Sequence, residues 1–278
     1  MSTLRAFVMN SRIRGESSSS EDADGRPVQD TLVFTCDGQR FILTTKGEQL
    51  AEILVENVDP SQEEATIEAI ERICWLLAFA TQSHVVYYKY HYPDGSPRSC
   101  RTVNRPGQNV DAVFDPTLGS EIRRFVDLAY PLFKALEGTR SLTVVIDYML
   151  QSARPGLPLE CKLVFMFVLL ENIKHTYGTQ QQYASKSGKF VDPTTKKPLH
   201  FQDIMNRMFG AVGMAPNLQG LVKLRNLVIH TGMAGLNPSQ QQQAYDEAND
   251  LIREYVLRLL GYTGHFNVSR LGGSTKKI

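Results

Sequence analysis

Long apolar runs are missing from this chain: the longest, Leu163 to Leu170, falls far short of the roughly 20 residues a helix needs to cross a bilayer. It reads as part of a core helix, and no membrane association is expected. The opening stretch Met1 to Met9 is interrupted too soon, by Asn10, Arg12 and Arg14, to serve as a secretory signal. Charge of one sign is also missing. Thirty Lys and Arg stand against 29 Asp and Glu, so the formal charge of +1 exerts no global pull on nucleic acid, and any such surface must be local. Cysteine is sparse. Cys36, Cys74, Cys100 and Cys161 are scattered without C-x-x-C spacing, which indicates neither a zinc site nor a disulfide framework. Reduced thiols and a cytoplasmic location are the expectation.

What is present is enough apolar material, 42% of 278 residues, for one large domain or two ordinary ones. Residues 15 to 29, with Ser17 to Gly25 at their centre, have nothing to bury and are expected to form a mobile loop. Leu4 to Val8, Leu32 to Cys36 and Arg40 to Thr44 carry the β-branched and aromatic content of strands, and Asp37-Gly38 signals a two-residue hairpin. Ser61 to Ala80 has helical spacing opened by Asp59-Pro60; His84 to Tyr92 returns to strand, and Asp94-Gly95 suggests a second hairpin. The fold class expected is therefore an α+β N-terminal domain over residues 1–110, followed by an all-α domain over 111–263 and a flexible tail over 264–278. The stretch Asn104 to Asn109 is the expected junction. Helices are expected at about 118–136, 140–153, 158–177, 201–211, 217–231 and 238–260.

Between the third and fourth of these helices, Lys186, Lys189, Lys196 and Lys197 face only Asp192. Such a loop suits phosphate if it lies beside a cleft, and is otherwise a solvated surface. His84 and His91, among Tyr87, Tyr88, Tyr90 and Tyr92, read as strand packing, with base stacking as the alternative. His175 lies one turn after Glu171, but no second carboxylate-rich helix completes a metal site, and no cofactor is expected.

Chemistry concentrates in Leu224-Arg225-Asn226-Leu227-Val228-Ile229-His230-Thr231-Gly232. Leu218, Leu221, Val222, Leu224, Val228 and Ile229 share one broad helical face that should be buried, with Asn217 as cap and Gly232 as stop. Arg225 is a permanently charged fork suited to phosphate, and His230 a side chain able to exchange protons near neutral pH. Asn226 and His230 lie one turn apart on the same side, whereas Arg225 and His230 differ by about 140°. Chance supplies an Arg-Asn followed by a His at this spacing in roughly one chain in a hundred. Taken singly, Arg225 could be a surface ion-pair partner and His230 a helix cap; Glu171 could reach Arg225 as a purely structural interhelical pair.

The segment resembles the R-N-x-x-x-H motif of the HEPN superfamily, and the run of helices with Leu-Glu171-Asn172-Ile on an earlier one is similar to the ApeA-like branch. That resemblance covers a little over half of the chain. It implies a helical-bundle domain, metal-independent endoribonuclease activity, RNA as substrate and a homodimer in which two motifs face one another. It assigns Arg225, Asn226 and His230 to the motif and Glu171 to the accompanying acidic position. It also implies a role in bacterial antiviral defence, abortive infection or a toxin–antitoxin-like system; it does not extend to the N-terminal domain, whose role is open and for which a sensed viral or antitoxin protein is one candidate partner. The alternatives are an inactive scaffold and a nucleotide-binding regulator.

Overall fold

The computed structural model describes residues 2–47, 49–93, 95, 97–98, 111–232, 234–269 and 274–278. The junction at 104–109, Asp94 of the second hairpin signal, Cys100 and residues 271–273 of the tail lie outside the described residues. The chain divides into two compact units, Met1–Lys134 and Ala135–Ile278.

The first unit holds β1 (Ser2–Met9), β2 (Ser17–Glu21), β3 (Pro27–Cys36), β4 (Gln39–Thr45), β5 (Leu50–Val58), β6 (Val86–His91) and β7 (Pro97–Arg98). They form one antiparallel sheet in the order β2-β3-β4-β5-β1-β6-β7. Alternation decides which face is covered: Leu4, Ala6 and Val8 are fully buried, and Arg5 between them is exposed. Helix α1 (Glu63–Thr81) packs on β5 and β6 with Ile70, Ile73 and Leu77 inward. Its entry is the Asp59-Pro60 signal, where the Asp59 carboxylate accepts from the Ser61 backbone N–H at 2.9 Å. Asp37 and Gly38 both take positive φ, 52° and 75°, as a two-residue hairpin turn of this twist requires.

Two expectations for this unit are corrected. The serine tract is not a loop throughout: Ser17–Glu21 is an edge strand paired with β3. Its polar side chains have a local use, because the buried Asp30 carboxylate accepts from the Ser19 N–H (2.8 Å) and the hydroxyls of Ser19 (3.0 Å), Ser20 (2.6 Å) and Thr31 (2.8 Å). Burial alone would raise that carboxyl; these bonds outweigh it and bring it down to about 2. The second correction is the boundary. Helix α2 (Gly119–Leu136), read as the first helix of the second domain, lies almost wholly in the first unit. Phe125 packs against Phe79 and Phe114 at ring distances of 5.7 and 5.0 Å, and Tyr130 and Lys134 both donate to Asp37.

The second unit contains α3 (Leu142–Ser152), α4 (Leu159–Gln180), α5 (Phe201–Gly210), α6 (Gln219–Thr231) and α7 (Pro238–Leu259). Helix α4 carries the longest apolar run and neighbours the other four, burying Leu163, Met166, Phe167, Leu169, Leu170 and Ile173. Among the described residues no helix is long and apolar enough to cross a membrane. The tail is corrected too. His265–Asn267 (β10) pairs with Thr275–Lys277 (β11), and Lys276 reaches Glu254 of α7 at 2.6 Å. A two-residue hairpin, Ser185–Lys186 (β8) with Lys189–Phe190 (β9), precedes α5.

Candidate functional site

Helix α6 begins where the Asn217 side chain accepts from the Gln219 N–H at 3.1 Å and ends where Gly232, at φ 72°, donates its N–H to the Val228 carbonyl at 2.8 Å. The N-cap position is Leu218, one residue after the expected Asn217, and it makes no side-chain cap bond. The Gly232 stop is as the sequence indicates; the burial is not. Val228 is the one buried residue within the helix, and Leu218 is buried just before it; Leu227 and Ile229 are 42% and 39% exposed. The apolar face expected to be covered is left largely open by this chain, because α4 lies under only part of it and the groove between α6 and α7, lined by Leu221, Leu224, Leu227 and Leu251, is unfilled.

Arg225 turns toward α4. Its Nη2 donates to Glu171 Oε1, its Nη1 to Asn226 Oδ1 at 2.8 Å, and its guanidinium lies 5.1 Å from the Phe201 ring at the start of α5. Lys174, one turn beyond Glu171, donates to the other carboxylate oxygen and lies 5.4 Å from the same ring. Two cations thus share one carboxylate, and the cluster keeps net positive charge. Within it the Nε–H of the Arg225 guanidinium is buried and has no hydrogen-bond partner among the described residues. The pair is partly screened, Arg225 being 18% and Glu171 30% exposed.

The structure therefore brings Arg225, Asn226 and Glu171 together and does not join His230 to them. His230 is exposed in the last turn and makes no side-chain hydrogen bond among the described residues. Of the four loop lysines, Lys189 lines a cleft with Glu171 and Lys174. Lys186 sits opposite it in the hairpin, Lys196 donates to the Pro193 carbonyl at 2.7 Å, and Lys197 is exposed. Asp192 does not offset them. Its carboxylate accepts from the N–H groups of Thr194 and Thr195 and from Arg207, and the Thr195 amide and Arg207 together hold it well below the usual carboxylate range.

Lys174, Phe201, Asn172 and His200 join this region without having been singled out for it. The legible signal was Lys174, three residues after Glu171 on the same helical face. His175 has its ring 5.7 Å from Phe190, and among the described residues no group of three or more His, Cys, Asp and Glu is placed to hold a metal ion. His84 and His91 pack edge-on against Trp75 and Phe7.

No family model, curated protein or solved structure matches this chain. Function must be read from the side chains. A guanidinium aimed by a carboxylate, an amide beside it and an exposed imidazole one turn further along can bind a phosphodiester and move protons.

Proposed function

We propose that this chain is a metal-independent endoribonuclease of the HEPN type that works as a symmetric homodimer. The observation that carries the reading is the contact between Arg225 and Glu171: residues drawn from two helices on the strength of a motif and an acidic position are hydrogen-bonded to one another. It is supported by the exposure of Asn226, Leu227, Ile229 and His230 on the same helix, which offers polar chemistry and uncovered hydrocarbon to a second copy.

In this mechanism an imidazole takes the proton from a ribose 2′-hydroxyl, the oxygen attacks the adjacent phosphorus, and an acid protonates the departing 5′-oxygen. The products are a 2′,3′-cyclic phosphate and a 5′-hydroxyl. One histidine does not serve as base and acid in the same step, so His230 from each protomer takes one role. Arg225 holds the non-bridging oxygens and Asn226 steadies the fork. DNA lacks the attacking hydroxyl and survives. RNA is the partner of the helical unit, in the cytoplasm, and the N-terminal unit binds the viral or antitoxin protein that governs a defence response.

Purified protein incubated with total RNA in chelator, beside Arg225→Ala and His230→Ala variants, tests the proposal. Cleavage by the wild type alone, with cyclic-phosphate ends, supports it; intact RNA, or equal cleavage by all three proteins, overturns it. A second reading draws on the same ion pair. If the guanidinium is spent on Glu171, the helical unit is an inactive scaffold, and the variants will then differ in stability and in nothing else.

A further inference from the structure

The Glu171 carboxylate carries a cation on each oxygen: Arg225 donates to Oε1 and Lys174 to Oε2. Arg225 belongs to the motif, whereas Lys174 has no part in the proposed reaction. Lys174 lines a cleft of about 600 Å³ whose walls also include Tyr148, Glu171, Lys189 and Phe201. Its ammonium is fixed among that lining, on Glu171 and 5.4 Å from the centre of the Phe201 ring.

A structural ion pair needs one cation for its acid. Here two are drawn to the same carboxylate, where they repel each other and only one is offset. Lys189 adds a third positive charge from the hairpin and forms no ion pair among the described residues. Glu171 is the one carboxylate in the lining, so the cleft and the adjoining Arg225 together lack negative charge. Carboxylate geometry also sets a spacing. Cations bonded to its two oxygens lie about as far apart as neighbouring phosphates of one strand.

We propose that this cleft is a second phosphate subsite on the RNA path: Arg225 holds the phosphate being cleaved, and Lys174 and Lys189 hold its neighbour in the same strand. The RNA rests on the ribonuclease reading, whereas the affinity for phosphate rests on the charges of the cleft itself. Rings at Tyr148 and Phe201 suit stacking by any base, so the subsite reads backbone and not sequence.

The test follows binding of the full-length protein to a short labelled RNA, 2′-O-methylated throughout so that it is not cut, by fluorescence anisotropy over a range of salt concentrations. Lys174→Ala and Lys189→Ala should each weaken binding about tenfold at low salt and lower the slope of log affinity against log salt by about 0.7. Lys174→Arg should restore both. Oligoadenylate and oligouridylate probes should lose equally. Adenosine 5′-monophosphate, added as competitor, separates a site for RNA from one for free nucleotide: it should displace the RNA about a hundredfold less well per mole, and displacement at equal concentration overturns the subsite. Thermal melting accompanies each variant. Lys189 is exposed, so Lys189→Ala keeps the fold and reports on the cleft even if Lys174→Ala melts early. An unchanged salt slope in either folded variant marks the lysines as structural and overturns the subsite, while RNA cleavage by the wild type leaves the nuclease standing. Lowered slopes without RNA cleavage in chelator would do the reverse.

Discussion

Arg225 of α6 donates to the carboxylate of Glu171, 54 residues earlier on α4, while its buried Nε has no acceptor among the described residues. The carboxylate that steadies the fork thus leaves part of it unspent. On the ribonuclease reading, that arrangement aims a cation as well as holding two helices together.

Removing the aiming group separates those roles. Glu171→Ala should cost about 1 kcal/mol or less, since both partners are partly exposed. Its RNA-cleavage rate should fall about 100-fold, because the guanidinium is no longer held in place. Urea melts and single-turnover cleavage measure the two effects, and a large stability loss with unchanged cleavage would mark the pair as structural.

The planarity of the fork is a second handle. Arg225→Lys keeps a cation for Glu171 but cannot serve Glu171, Asn226 and a phosphate at once, so melting should be near that of the wild type and cleavage about 100-fold slower.

Uncovered hydrocarbon on α6 makes a prediction about assembly. Leu227→Glu, at a position 42% exposed in the single chain, should leave the melting of dilute protein within about 0.5 kcal/mol of wild type. Sedimentation should show it as a monomer where the wild type is a dimer. A wild type that sediments as a monomer at all concentrations argues against a shared site.

Acid should loosen the C-terminal hairpin. Burial would raise the Glu254 carboxyl, but hydrogen bonds from Lys276 and Arg258 outweigh it and bring it below its ordinary value of 4.5. A carboxyl lowered by folding stabilises fully above its unfolded pKa and loses that contribution as pH falls through the folded one. Amide exchange of residues 274–278 should therefore accelerate below the ordinary glutamate range, and Lys276→Ala should flatten the dependence.

The lysine loop is fastened by one acid. Asp192→Ala frees the amides of Thr194 and Thr195 and releases Arg207, so trypsin should cut between Gln180 and His200 sooner than in the wild type, with α4 and α5 intact.

Much of this architecture was legible. Helical periodicity located α1 through α7 to within a few residues, because long amphipathic segments repeat their signal, and Asp37-Gly38 marked its hairpin because few residues accept two positive φ values. Ser17–Glu21 was illegible as a strand because what holds it, the Asp30 carboxylate, lies on the neighbouring strand. Leu50–Val58 went unread for lack of a turn signal as strong as that of Asp37-Gly38. The contact of Glu171 with Arg225 could be named as a candidate pair, but the role of Phe201 beneath both cations depends on where α5 starts in space, which no local pattern encodes.

The open flank of α6 carries a corollary for dosage. If turnover needs two copies, the working species accumulates with the square of abundance while the protein is scarce, and then in simple proportion once pairing saturates. A modest rise in expression would then raise turnover out of proportion, with no messenger other than crowding of the chain with itself.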